Sequence, residues 1–290
     1  MKHRTGITLI ILGMFILTQF MGLFVINLYN QNGLPAYLIN EETSPASLIP
    51  SLIFTILIIM LLMKYKQKIV MRIWFILVVI IALFLSFNAI LIKLGFNLWY
   101  LALCIATILA LLKIFKPNKY LHNLTELLIY PGIAAIFISV LTVWSIIILL
   151  VLISLYDVWA VWHSGIMQKM AKFQMEEVGI FGGFLIPSLT KKQKELIKKA
   201  KKSKKINKLK RIKVGVAMLG GGDVIFPIIT AGVFMSAFSS IIPAIFIIFG
   251  AFFGLTYLLL ISEKTKFYPA MPFISFGIFA SLALWRIIFY

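Results

Sequence analysis

Two aspartates stand inside apolar runs of the chain: Asp157 in Leu155-Tyr156-Asp157-Val158, and Asp223 directly after Gly220-Gly221-Gly222. A charged side chain at the bilayer centre costs from about 3 kcal/mol on insertion scales to more than about 10 in simulations. A chain that keeps two carboxylates on neighbouring helices is read as using them together. Two facing carboxylates in a low dielectric cannot both ionise cheaply, so the pair holds one shared proton. One group can then take a proton from water while the other donates to a carbonyl oxygen. Such a pair hydrolyses an amide through a gem-diol, with no acyl-enzyme. The two carboxylates alone fit equally well a proton or cation site in a transporter.

The flanking residues favour hydrolysis. Gly220, Gly221 and Gly222 remove side chains just before Asp223, and each weakens a helix by roughly 0.8–1 kcal/mol relative to Ala. This loosens the backbone and leaves room for another chain beside the acid. A helical peptide bond is shielded and must be unwound before it can be cut. Pro227 adds to the irregularity, although small residues also serve close helix packing. In Tyr268-Pro269-Ala270-Met271-Pro272, two prolines three apart interrupt hydrogen bonding at the start of the last apolar segment. Free backbone groups there need a partner, and a substrate strand is one candidate.

The elements that must position these residues are membrane helices. The chain has 290 residues, of which 62% are hydrophobic, and its mean hydropathy is +1.04. This composition excludes a soluble domain and predicts an all-α polytopic membrane protein. Apolar runs predict nine spans, at 6–29, 47–63, 70–91, 97–115, 124–140, 142–162, 213–234, 239–261 and 267–287. The fifth and sixth share one apolar stretch, and merging them would leave eight. The positive-inside rule decides between the two counts. With nine spans and a cytoplasmic N-terminus, 26 of the 28 Lys and Arg fall inside, and only Lys93 and Arg286 fall outside. The C-terminus is then outside. Residues 1–290 are read as a single membrane domain: helices one to six over 1–162, a basic cytoplasmic loop over 163–212, and helices seven to nine over 213–290. The first apolar run lacks a small-x-small cleavage site and reads as a retained helix.

The net charge of +19 is concentrated in the loop between the two aspartates, so it reflects topology and lipid rather than nucleic acid. The apolar, glycine-bearing stretch 178–187 reads as a re-entrant turn or a short strand near the membrane surface. Cys104, the single cysteine, reads as buried packing. Glu126 reads as structural, near the start of the fifth helix, which leaves Asp157 and Asp223 as the carboxylates at depth. Counted from the span ends, Asp157 lies roughly 8–12 Å and Asp223 roughly 15 Å from the inner surface, at about 1.5 Å per residue.

Tyr156-Asp157, Gly220-Gly221-Gly222-Asp223 and Pro269-Ala270-Met271, in that order, resemble the signature of the presenilin and signal peptide peptidase family of intramembrane aspartic proteases. The resemblance extends to the nine-span layout and the large loop between the two aspartates. The orientation is similar to presenilin, and the short chain looks like the archaeal presenilin homologues. The resemblance implies that Asp157 and Asp223 are the acid/base pair. It implies that Tyr156 packs beside them, and that Pro269, Ala270 and Met271 line the site with the glycines. It also implies that 181–187 and the residues before Gly220 offer strand partners to an unfolded substrate. Met271 stands where the family usually has Leu, an apolar change of similar volume. Neither cofactor nor metal is implied, nor an obligatory partner subunit. The implied partners are transmembrane protein substrates and the lipid bilayer, and the implied place is the cell membrane of a prokaryote.

Other intramembrane hydrolases do not fit. His3, His122 and His163 are scattered, so no His-Glu-x-x-His zinc site forms. His163-Ser164-Gly165 sits at a helix end and does not match a rhomboid-type serine site. No matching pair of broken segments in the two halves suggests a transporter repeat.

Overall fold

The computed structural model describes residues 5–32, 50, 68–96, 98–116, 118–164, 182–188, 215–262 and 268–289. The predicted second span (47–63) and the Lys-rich stretch 191–213 lie outside the described residues. Within them, the helices are α1 (Thr5–Asn32), α2 (Lys68–Lys93), α3 (Trp99–Phe115), α4 (Lys119–Ile138), α5 (Val143–Trp159), α6 (Gly221–Ala237), α7 (Ile241–Ile261) and α8 (Met271–Phe289). A π-helical turn, Ala160–Ser164, continues α5. Strands β1 (Gly183–Ser188) and β2 (Gly215–Gly220) form a two-stranded antiparallel sheet. Among the described residues, six helices are long and apolar enough to cross a membrane. The all-α expectation is therefore corrected to a mostly helical fold with one small sheet.

The division between α4 and α5 is local chemistry. Thr142 adopts an extended conformation and its hydroxyl accepts the Ser145 N–H at 3.2 Å, a helix N-cap inside an apolar run. The predicted seventh span, 213–234, is corrected more substantially: its first part is β2, and the helix begins only at Gly221. The glycines gain little from helix, whereas pairing with β1 satisfies alternate residues of the backbone up to Leu219. Asp223 is thus the third residue of α6 rather than deep within a helix. At 17 residues α6 is about 25 Å long, shorter than the hydrocarbon core of about 30 Å.

Helix α6 is the most enclosed element near the site. Val224 and every residue from Pro227 to Met235 are buried, packed by α1, α4, α5, α7 and α8. Helices α7 and α8 touch backbone to backbone: a Cβ on Gly250 or Gly277 would strike the other's carbonyl oxygen, and one on Gly254 the Phe273 carbonyl. Gly132 likewise lets α4 sit against the Ala82 carbonyl of α2, so its role beside Pro131 is close approach.

A buried ion pair joins α3 to α4. Lys113 is 6% exposed and Glu126 1%, and the ammonium donates to Glu126 Oε1 and, at 3.1 Å, to the Thr125 hydroxyl. Glu126 is therefore a third carboxylate at depth, not a residue held by its helix N-terminus alone. Cys104 lies on the exposed face of α3, contrary to the expectation of burial.

Two outcomes follow for stability, read as thermal unfolding in detergent. Gly132→Ala overpacks backbone against backbone and destabilises by about 3 kcal/mol. Glu126→Gln strands the buried Lys113 charge and destabilises by roughly 3–5 kcal/mol, whereas Lys113→Met combined with Glu126→Leu costs less than either single change.

Candidate active site

The site forms where four segments meet: the end of α5, the first turn of α6, the first turn of α8 and the sheet. Asp157 is 4% exposed, near the end of α5. Its Oδ2 accepts the Met271 backbone N–H at 3.0 Å. The opening N–H groups of any helix lack intrahelical partners, and a carboxylate is a favourable cap for them. Asp157 performs that service for α8 from a different helix, 114 residues away in sequence. Two turns of α8 are thereby stitched to α5, because Ser154 Oγ also donates to Ser275 Oγ at 2.9 Å. Of the backbone groups expected to need a partner at the Pro-Ala-Met turn, the buried Met271 N–H is taken by Asp157.

Asp223 is half-buried in the first turn of α6. Helix α5 packs against α6, so the two sequence-predicted acids stand on neighbouring elements. Gly220 makes room for it: a Cβ there would lie 3.1 Å from Asp223 Oδ2. Pro227 has no N–H to offer the Asp223 carbonyl, so the backbone at the acid is loosely bonded within its own helix.

The remaining sequence-predicted residues divide. Pro269 and Met271 are buried and Ala270 is partly buried against the core. Tyr156 is partly buried, with its ring tilted over Trp159 at 6.3 Å, so it flanks Asp157 without entering the space between the acids. Gly222 is exposed, and a Cβ there meets only Phe226 at 3.8 Å. Gly221 faces α4: a Cβ would stand 3.2 Å from both Cε1 and the hydroxyl of Tyr130. Among the described residues, no group of His, Cys, Asp or Glu could hold a metal ion.

The sheet leads directly into Asp223. Gly183 pairs with Gly220, Leu185 with Met218 and Pro187 with Val216. Helix α4 occupies the outer edge of β1. Asn123 donates to the Leu185 carbonyl and accepts its N–H, both at 3.0 Å, and His122 Nε2 meets the Gly183 carbonyl at 2.8 Å. Since both Leu185 groups go to Asn123, the Leu185–Met218 pair is a non-hydrogen-bonded one, and pairs alternate along an antiparallel ladder. The backbone groups of Val216 and Met218 therefore point away from β1. Met218 is 47% exposed. Among the described residues, one edge of the sheet is closed by side chains and no strand pairs with the other, which leads into Asp223.

His122, Asn123, Lys113, Glu126 and Tyr130 were not singled out from the sequence as site residues. Their signal was present as four polar groups at helical spacing on α4 and one charge near the end of α3, but their partners lie on other elements.

The fold and the sequence have counterparts. A family profile described as signal-peptide peptidase, presenilin aspartyl protease matches residues 12–288. A presenilin family intramembrane aspartate protease solved in the P2 space group superposes with a TM-score of 0.59 at 19% identity, covering 96% of each chain. One solved in the C222 space group gives a TM-score of 0.62 at 17% identity, covering 97% of this chain and 99% of the other. A search of curated proteins finds no match. The profile spans nearly the whole chain, and the chain belongs to the signal-peptide peptidase and presenilin aspartyl protease family.

Proposed function

We propose that the protein is an intramembrane aspartic endopeptidase in which Asp157 and Asp223 share one proton and activate water. The observation that carries this reading is the placement of the two acids: Asp157, held by the Met271 N–H, stands on α5, which packs against α6, and Asp223 lies in the first turn of α6 directly after strand β2. The ionised member takes a proton from water, and the protonated member donates to the scissile carbonyl oxygen. The resulting gem-diol collapses as a proton passes to the leaving amine.

The sheet supports a route for substrate. A transmembrane helix must be extended before cleavage, and an extended chain needs backbone partners in hydrocarbon. The outward groups of Val216 and Met218 suit strand addition, while β1 is closed to it by Asn123 and His122. We read the substrate as a transmembrane protein and the enzyme as a multi-pass protein of a prokaryotic cell membrane, N-terminus inside and C-terminus outside, with no obligatory partner subunit implied.

The first test is cleavage of a single-span reporter in liposomes. Asp157→Asn and Asp223→Asn each lower turnover by at least about a thousandfold. Both variants keep the wild-type melting temperature: in Asp157→Asn the amide oxygen still accepts the Met271 N–H, and Asp223→Asn keeps the side chain's shape while removing a half-buried ionisable group. Full activity in either variant refutes the dyad. The second concerns the strand edge. Met218→Pro deletes an outward N–H without touching the pairing with β1, so it reduces kcat/KM about tenfold, mainly through KM, with folding intact.

A further inference from the structure

Two buried side-chain polar atoms among the described residues lack a hydrogen-bond partner: the Tyr130 hydroxyl and Gln19 Oε1. Both belong to residues packed on the first turn of α6. Gln19 donates through its nitrogen to the Val224 carbonyl at 3.0 Å, and Tyr130 rests against Gly221. Native proteins satisfy a buried hydroxyl with protein or with ordered water.

Tyr130 is 2% exposed. Its ring is fixed edge-on against Phe184 of β1, with centroids 5.5 Å apart at 82°. The hydroxyl therefore cannot swing toward lipid. Glu126 faces it from one turn earlier on α4, near enough to act on the hydroxyl but without a hydrogen bond of good geometry. That carboxylate is already engaged by Lys113 from α3, and His122 Nε2 stands 3.7 Å from it. From α6 the facing group is Asp223, whose charge reaches Tyr130, and beyond it Asp157 from α5. Adjacent glycines hold the two ends of this gap. Gly220 lies against the Asp223 carboxylate and Gly221 against the Tyr130 hydroxyl, and successive Cα atoms are about 3.8 Å apart. Two polar groups that flank the same pair of residues without touching are within reach of a bridging water.

We propose that Tyr130 is a positioning residue of the acid pair: its hydroxyl anchors a water that hydrogen-bonds the Asp223 carboxylate, across a gap that Gly221 keeps clear of a side chain. This rests on the protease reading for its kinetic consequence, though not for the hydrogen bond itself. The water orients Asp223 and stabilises its charge distribution, while the ring supports β1 through Phe184. A merely structural Tyr130 would act through the ring alone.

Tyr130→Phe separates the two roles, because it keeps the ring and removes the oxygen. The full chain in liposomes is compared with wild type for cleavage of the single-span reporter, for the pH profile of kcat, and for thermal unfolding. Expected are an unchanged melting temperature, an unchanged KM, a kcat about tenfold lower and a displaced pH profile. Infrared difference spectroscopy supplies a readout that needs no turnover. The Asp223 carboxyl band, assigned by its loss in Asp223→Asn, changes frequency in Tyr130→Phe. An unmoved Asp223 band together with wild-type kcat and pH profile overturns the proposal. A wild-type protein that cleaves nothing would count against the protease reading, while the Asp223 band still decides the role of Tyr130.

Discussion

A carboxylate in hydrocarbon must be given partners, and much of this architecture is the set of ways in which partners are found. Glu126 receives an ammonium from the neighbouring helix. Asp157 receives the backbone N–H that opens α8. Asp223 receives the space left by Gly220 and the company of Asp157. Only the first is neutralised outright. The other two are supported by backbone geometry, which stabilises a carboxylate without removing its capacity to exchange protons. The three acids are thus distinguished by the kind of partner each is given.

The cap on α8 ties chemistry to architecture. The helix starts at Met271 because the residues before it include Pro269, and Pro272 contributes no N–H. The N–H left over at Met271 is answered by a residue that the fold must bring from α5. Helices α5 and α8 therefore cannot separate at this level without leaving both a helix end and a buried acid unsatisfied. The Ser154–Ser275 contact, one turn away, reinforces the same junction.

Local sequence carried much of this. The two acids, the glycine run and the Pro-Ala-Met turn are compact signals, because each combines a costly or conformationally extreme residue type with an apolar setting. The division of α4 from α5 was readable through Thr142, a capping residue in a run otherwise without punctuation. The strand before Asp223 was harder. Residues 215–220 are apolar, and periodicity alone does not separate a short buried strand from the first turns of a helix. What decides it is the pairing with β1, more than 25 residues earlier by the register of the sheet. The Lys113–Glu126 pair was missed for a similar reason: each residue was read against its own helix end, whereas its partner stands on the adjacent helix.

The ion pair between α3 and α4 also bears on how the protein experiences the voltage across its membrane. A transmembrane potential acts on net charge at about 2.3 kcal/mol per elementary charge per 100 mV. Lys113 and Glu126 are in direct contact and nearly sealed from solvent, so they present the field with a compact dipole of no net charge. Depolarisation or hyperpolarisation then exerts almost no force on this joint. Since Glu126 and His122 share the helix that grips β1, the anchorage of that strand is electrically silent as the membrane potential varies.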